Sequence, residues 1–296
     1  MFYYPFEYDE PLFRPPSEAY SLILQVTLGC SWNRCAFCEM YTTKSFRVRS
    51  SEEVLQEIEK AASFNPNVRK VFLADGNAMV LSTHRLMEIL QKLKTVFPQL
   101  NRISAYAMPR DLEHKSEEEL KSLREAGLKL IYVGIESGDP ELLKLVNKGE
   151  IPDMMPHHLN KAKRAGIQSS VMIIIGLGGK KYSRQHAINS ARVVNEINPD
   201  FLSTLVLSFP FGQEHYEKRF KGLYEPMSPQ DLLEEQHLFI QNTDLQNSIY
   251  RSDHASNYKP LKGILNRDKS RLLKELETAI QKPSEAGLRK EWQRGL

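Results

Sequence analysis

Six short apolar runs, at residues 22–28, 70–74, 102–107, 129–135, 169–175 and 201–207, alternate with amphipathic stretches through the first two-thirds of the chain. Runs this short, rich in Val, Ile, Leu and aromatics, read as strands buried on both faces. Strands that alternate with helices pair in parallel. The intervening periodicity places helices at 52–62, 83–96, 140–147, 157–165 and 184–195. Ser116 followed by Glu119 reads as a capping box opening a further helix to Ala126, which Gly127 stops. The expectation is an α/β fold, a partial (β/α)6 TIM-like barrel of parallel strands. A doubly wound open sheet is the other arrangement this pattern allows.

The chain has three cysteines, Cys30, Cys35 and Cys38, all in the loop that follows the first run. An odd number of thiols gathered in nine residues is not a disulfide framework, and it points to a metal or cluster in a reducing compartment. Three thiolates can hold three irons of a [4Fe–4S] cluster and leave the fourth iron open. Zinc held by three Cys and one His is the competing reading, although His84, the nearest histidine in sequence, lies far from Cys38. Loops at the C-terminal ends of parallel strands are where sites on such folds are built. No run of eighteen apolar residues is present and the N-terminus lacks a basic and apolar leader, so neither a membrane span nor a secretory signal is expected.

The loop resembles the signature of the radical S-adenosylmethionine (SAM) superfamily, whose usual spacing is C-x3-C-x2-C with an aromatic before the last Cys. Phe37 fills the aromatic position, and the first spacing departs by one residue, giving C-x4-C-x2-C. Further matches follow the later strands: Asp75-Gly76-Asn77 after the second, Gly134-Ile135-Glu136-Ser137-Gly138 with Asn147-Lys148-Gly149 after the fourth, and Gly176-Leu177-Gly178-Gly179 after the fifth. This is similar to the core shared by the elongator, methylthiotransferase and anaerobic coproporphyrinogen-oxidase types, over residues 21–207. The resemblance implies that the three cysteines hold one [4Fe–4S] cluster and that Phe37, Asp75, Gly76 and Asn77 lie against it and SAM. It implies further that Glu136 binds the SAM ribose, with Gln168 a second ribose candidate, and that Gly176, Gly178 and Gly179 approach the adenine. Each has a plainer reading on its own residues: Asp75-Gly76 as a turn, Glu136 as a partner of a helix start, Gln168 as a solvent-facing side chain.

The activity implied is reductive cleavage of SAM to a 5′-deoxyadenosyl radical that abstracts hydrogen from a small organic substrate, with porphyrin- or heme-related molecules in first place. A tRNA-modifying enzyme is the second reading, and a non-catalytic iron–sulfur or zinc protein the third. With no further cysteine, a second cluster has no ligands. Residues 1–20 read as an extension packed on the core, 21–208 as the barrel, and 209–296 as a helical extension closing the substrate side, with helices at 229–241 and 267–281. In it His254, Asn257 and Tyr258 are substrate candidates or a packed turn, and Phe209, Pro210, Phe211, Gly212, His215 and Tyr216 line a mouth. The aromatic start (Phe2, Tyr3, Tyr4, Phe6, Tyr8) reads as packing. From Lys262 onward nine Lys and Arg face five Asp and Glu, ending in a polar, mobile tail of fifteen residues. A basic tail suits an acidic electron donor of flavodoxin or ferredoxin type. Nucleic acid is the weaker fit, because no aromatic-interleaved groove accompanies the charge and the net charge is only +3. The location expected is the cytoplasm.

Overall fold

The computed structural model describes residues 4–209 and 212–294; Phe2, Tyr3, Pro210 and Phe211 therefore lie outside the described residues. The chain forms two compact units. The first comprises residues 1–33, 40–133 and 158–169, and the second residues 34–39, 134–157 and 170–296.

In the first unit, β1 (Leu22–Gln25), β2 (Lys70–Ala74), β3 (Arg102–Ala107) and the body of β4 (Leu128–Glu136) pair in parallel in that order. Residues such as Leu24, Val71, Leu73 and Ile103 are completely buried, as the continuous apolar runs require. Helix α1 (Ser51–Phe64) starts on a capping box between Ser50 and Glu53. Helix α2 (Thr83–Val96) starts on Ser82, and α3 (Glu117–Glu125) on the Ser116/Glu119 box read from the sequence. The N-terminal segment packs Tyr8 and Leu12 against Ile23, Phe72, Tyr106 and Tyr132, and Tyr8 donates to the Ile23 carbonyl.

In the second unit, α4 (Pro140–Leu145) follows β4, and α5 (Met154–Arg164) leads back to the first unit. Then come β5 (Gln168–Ile175), α6 (Gly179–Ile197), β6 (Phe201–Val206), α7 (Glu214–Arg219), α8 (Pro229–Asn242), β7 (Ser248–Ser252), β8 (Leu261–Leu265) and α9 (Lys269–Gln281). Strands β5, β6 and β7 are parallel, and β8 returns antiparallel to β7. The six expected strands are present and the sheet is mostly parallel. The C-terminal extension is not purely helical, because β7 and β8 add a hairpin-like pair to it. Gln236 of α8 fastens that addition: its amide donates to Tyr250 Oη (2.8 Å) and Ser252 Oγ (2.8 Å) of β7.

Candidate active site

The first half of the cysteine loop belongs to the first unit and is held from behind by the turn after β2. Gly76 has no room for a side chain, since a Cβ there would stand 2.6 Å from Cys30 Cα and Cβ. On one side of it, Asp75 Oδ2 accepts from the Gly29 amide (3.2 Å), Gln25 Nε2 (3.2 Å) and Lys44 Nζ (2.9 Å). Lys44 also pairs with Asp9 of the N-terminal segment at 3.0 Å. On the other side, Asn77 Oδ1 accepts from the Ser31 amide (3.0 Å), while its Nδ2 donates to Ser31 Oγ and to the Asp111 carboxylate. The Asp75-Gly76-Asn77 turn thus touches Gly29, Cys30 and Ser31 in succession. Burial pushes the Asp75 carboxyl up against the opposing pull of Lys44, Gln25 and Gly29, and its Oδ1 is buried with no hydrogen-bond partner.

The second half of the loop, residues 34–39, belongs to the second unit and rests on the turn after α4. The Ala36 amide donates to the Val146 carbonyl (2.9 Å), Asn147 Nδ2 donates to the Arg34 carbonyl (3.1 Å), and His215 Nε2 bonds the Ala36 carbonyl (2.9 Å). Phe37 packs against a cluster of Leu142, Val146, Leu177, Tyr182, Tyr216 and Phe220, and Lys148 Nζ stands 5.8 Å from its ring. Burial alone would lower Lys148, but Glu136, the negative charge at Cys35 and Glu150 outweigh it and hold the ammonium above its ordinary range.

Glu136 lies at the end of β4 with φ +63°, the left-handed region. Its carboxylate folds back over Gly134, where a Cβ would meet Oε1 at 2.0 Å, which explains the glycine two residues earlier. Lys148 donates to Oε1, and Oε2 is buried without a partner. The next residues seat on α6. Ser137 Oγ pairs with His186 Nδ1 (2.8 Å), the Gly138 amide donates to Ser190 Oγ (2.9 Å), and a Cβ on Gly138 would strike the Asn189 carbonyl at 2.2 Å. Asp139, rather than Glu136, caps α4, through the Leu142 amide.

The glycine turn after β5 is crowded by the chain itself. A Cβ on Gly176 would meet Leu232 Cδ2 at 2.6 Å, one on Gly179 the Glu225 carbonyl at 2.6 Å, and one on Gly178 Tyr182 Cβ at 2.5 Å. These glycines make room for the chain's own C-terminal extension and α6. Gln168 stands apart from the other candidates: it opens β5 at the N-terminal end, exposed, whereas the rest lie at or beyond C-terminal strand ends.

His254, Asn257 and Tyr258 form a pinned turn. His254 Nδ1 meets the Ser256 hydroxyl and amide, Asn257 Nδ2 donates to the Thr204 carbonyl, and Tyr258 Oη donates to Glu291. The tail expected to be mobile holds this turn in place. Arg289 donates to the carbonyls of His254 and Asn257, and Arg294 lies 3.9 Å over the Tyr258 ring and donates to the Ser256 carbonyl. Of the expected mouth residues, Phe209 and Tyr216 meet tilted with centroids 4.9 Å apart, Tyr216 fully buried in the core and Phe209 half-buried against it. Sequence reasoning missed Lys44, His186, Glu235 and the two tail arginines, and quoted Lys148 only as part of a matching stretch without a role. Of the missed residues, only the tail arginines carried a signal, the basic excess of the tail.

The three cysteines are half-buried and form no disulfide. Among the described residues no three His, Cys, Asp or Glu side chains converge into a metal-holding group. The donor set is that of an iron–sulfur loop, and Asp75 and Glu136, the two carboxylates that the sequence resemblance places against SAM, each keep one buried oxygen with no partner.

The radical SAM superfamily model matches residues 24–191, more than half of the chain, and the chain belongs to that superfamily. It is 22% identical over 164 residues to the heme chaperone HemW of Bacillus subtilis, covering 55% of this chain and 42% of that protein. It is 23% identical over 210 residues to an oxygen-independent coproporphyrinogen III oxidase of Helicobacter pylori, covering 68% and 44%. The chain thus spans less than half the length of these curated relatives. Among solved structures, the coproporphyrinogen III oxidase of Escherichia coli superposes with a TM-score of 0.55 at 20% identity, over 75% of this chain and 52% of that one. Methylornithine synthase does so with 0.51 at 17%, over 90% and 69%. At these identities the likeness establishes the α/β, TIM-barrel-like fold class. The superfamily uses a [4Fe–4S] cluster and SAM. Among the described residues no helix is long and apolar enough to cross a membrane.

Proposed function

We propose that this chain is a single-cluster radical SAM enzyme that abstracts hydrogen from a small organic substrate. The observation that carries the reading is Glu136, fixed over Gly134 by Lys148 and left with one buried oxygen that a ribose hydroxyl would satisfy. Cys30, Cys35 and Cys38 would hold the cluster. The Asp75-Gly76-Asn77 turn would brace its first half-loop and the 146–148 turn its second. When bound, the cluster supplies one-electron cleavage of the SAM sulfonium, which makes hydrogen abstraction from an unactivated carbon accessible. The chain's own residues bind, orient and exclude water.

A strand face supports a small, largely apolar substrate. Ser170, Met172 and Ile174 of β5 stand in register with Phe201, Ser203 and Leu205 of β6, and Phe201 with Ile249 of β7. These residues are only half-buried, while the alternate ones, such as Val171, Ile173 and Leu202, are fully buried. The tail speaks against RNA, because Arg289 and Arg294 are spent on backbone carbonyls, Glu291 and Tyr258. The names of two relatives put porphyrin- and heme-related compounds first in a screen. An electron donor of flavodoxin or ferredoxin type in a reducing cytoplasm completes the proposal.

The test is anaerobic iron–sulfur reconstitution, then dithionite and SAM, with 5′-deoxyadenosine followed by mass spectrometry. Wild-type chain is expected to form it slowly without substrate, and Cys35→Ala to form none. A colourless chain that keeps zinc and forms none would instead be a structural metal protein. Consumption of bulk tRNA in preference to porphyrins would move the substrate assignment to RNA.

A further inference from the structure

One buried carboxyl of the C-terminal extension reaches the turns that the proposed reading gives to SAM. Glu235 sits in the middle of α8, completely buried, and its Oε1 accepts the Gly176 amide at 2.6 Å. Gly176 has φ +84° and is pressed by Leu232, one helical turn before Glu235 on the same α8. Beside the carboxyl, His186 Nε2 lies 3.7 Å from Oε1 and donates to the Ile174 carbonyl at 3.0 Å. The other ring nitrogen pairs with Ser137 Oγ, which accepts the Asp139 amide at 3.0 Å, so the ring anchors the turn that begins at Glu136. Glu235 therefore stands at the end of β5, bonding the glycine turn directly and bordering the histidine that seats the Glu136 turn.

We propose that Glu235 is a positioning residue for SAM: it supplies the acceptor that fixes the Gly176–Gly179 turn, so that nucleoside affinity depends on the seating of the C-terminal extension. The proposal rests on the reading that this turn and Glu136 face the adenosyl group. What Glu235 must provide is an acceptor at one distance from α8. The Gly176 amide is buried against Leu232, and removing its partner leaves a donor with nothing to replace it. Burial favours the neutral carboxyl at this position, against His186, Gly176 and Ser183. A glutamine, neutral and of the same reach, keeps the acceptor. An aspartate keeps the carboxyl but withdraws it by one methylene, and a methionine keeps the volume without an acceptor.

The experiment measures binding of S-adenosylhomocysteine to the cluster-free full-length chain by calorimetry, for wild type, Glu235→Gln, Glu235→Asp and Glu235→Met. In parallel, KM for SAM and kcat for 5′-deoxyadenosine are taken on reconstituted protein. Glu235→Gln is expected within about threefold of wild type, and Glu235→Asp and Glu235→Met about tenfold or more weaker, the order set by one orphaned buried amide. In the loaded enzyme the loss should fall on KM, with kcat within twofold, a split that general destabilisation would not produce. Glu235→Asp answers the question if Glu235→Met does not fold. Affinity within threefold of wild type in Glu235→Asp, or Glu235→Gln as weak as Glu235→Asp, overturns the proposal while leaving the enzyme reading in place. A wild-type chain that binds no S-adenosylhomocysteine and forms no 5′-deoxyadenosine removes both.

Discussion

Lys148 Nζ stands 3.1 Å from Glu136 Oε1, and both side chains are more than nine-tenths buried. Removing either partner has unequal consequences: without Glu136, Lys148 keeps the negative charges at Cys35 and Glu150 beside it, whereas without Lys148 the Glu136 carboxylate loses its ion-pair partner. Lys148→Met is expected to lose about 3 kcal/mol of unfolding free energy, read from urea denaturation. Glu136→Gln should lose less. The double variant should recover part of the Lys148→Met loss, and a strictly additive cycle would mean that the two side chains do not act as a pair.

Two glycines make opposite demands on the site. Gly134→Ala places a methyl where Glu136 Oε1 now lies, so the carboxylate must move. S-adenosylhomocysteine affinity is expected to fall by about tenfold, the equivalent of one lost hydrogen bond to a charged group, with iron content unchanged. Gly76→Ala drives a methyl into Cys30 and the Gly29 carbonyl, at 2.6 and 2.8 Å. Iron per chain after reconstitution should drop, with nucleoside affinity less affected. The same loss in both variants for both readouts would show that the two turns do not serve separate parts of the site.

Arg34 reports on whether the cysteine loop changes when a cluster is loaded. Arg34 is exposed between Cys30 and Cys35, and its carbonyl is held by Asn147. Trypsin is expected to cut after Arg34 in cluster-free protein and to be slowed by an order of magnitude after reconstitution, as the loop loses the local opening that cleavage needs. Equal cleavage rates in the two forms would mean that the loop does not reorganise on loading.

The strand ladder was legible because residues such as 70–74 and 201–206 are apolar on both faces. Arg251, Lys262 and Gly263 break that pattern in β7 and β8, which sit at the sheet margin, so no apolar run marks either strand in the sequence. Helix α6 begins five residues earlier than the periodicity shows, because Gly179-Lys180-Lys181 carries little apolar signal and is seated by the Glu225 carbonyl. The Cys loop, the Asp75 turn and the Glu136 turn could be read because each keeps a local spacing. Their braces could not. Glu235 reaches Gly176 across 59 positions and Lys44 reaches Asp75 across 31, and no local pattern encodes such a pairing. Arg289 and Arg294 belonged to a run of charge that also describes a solvated helix face.

The turn under that tail carries a pH dependence with a definite sign. Burial, then the Arg289 guanidinium, holds the His254 imidazole below its ordinary range, with Asp253 pulling the other way. Its Nδ1 also accepts the Ser256 amide, a role open only to the unprotonated nitrogen. The unfolded chain therefore binds a proton that the folded turn refuses. Stability is full above the unfolded value of about 6.5 and is lost as pH falls from there through the lower folded value. The expected result is faster hydrogen exchange in the 254–258 turn and the 289–294 tail as pH drops from 7 to 5, after correction for intrinsic rates, with the change largely absent in His254→Gln. A His254→Gln chain whose exchange keeps the full wild-type pH dependence would place the titrating group elsewhere.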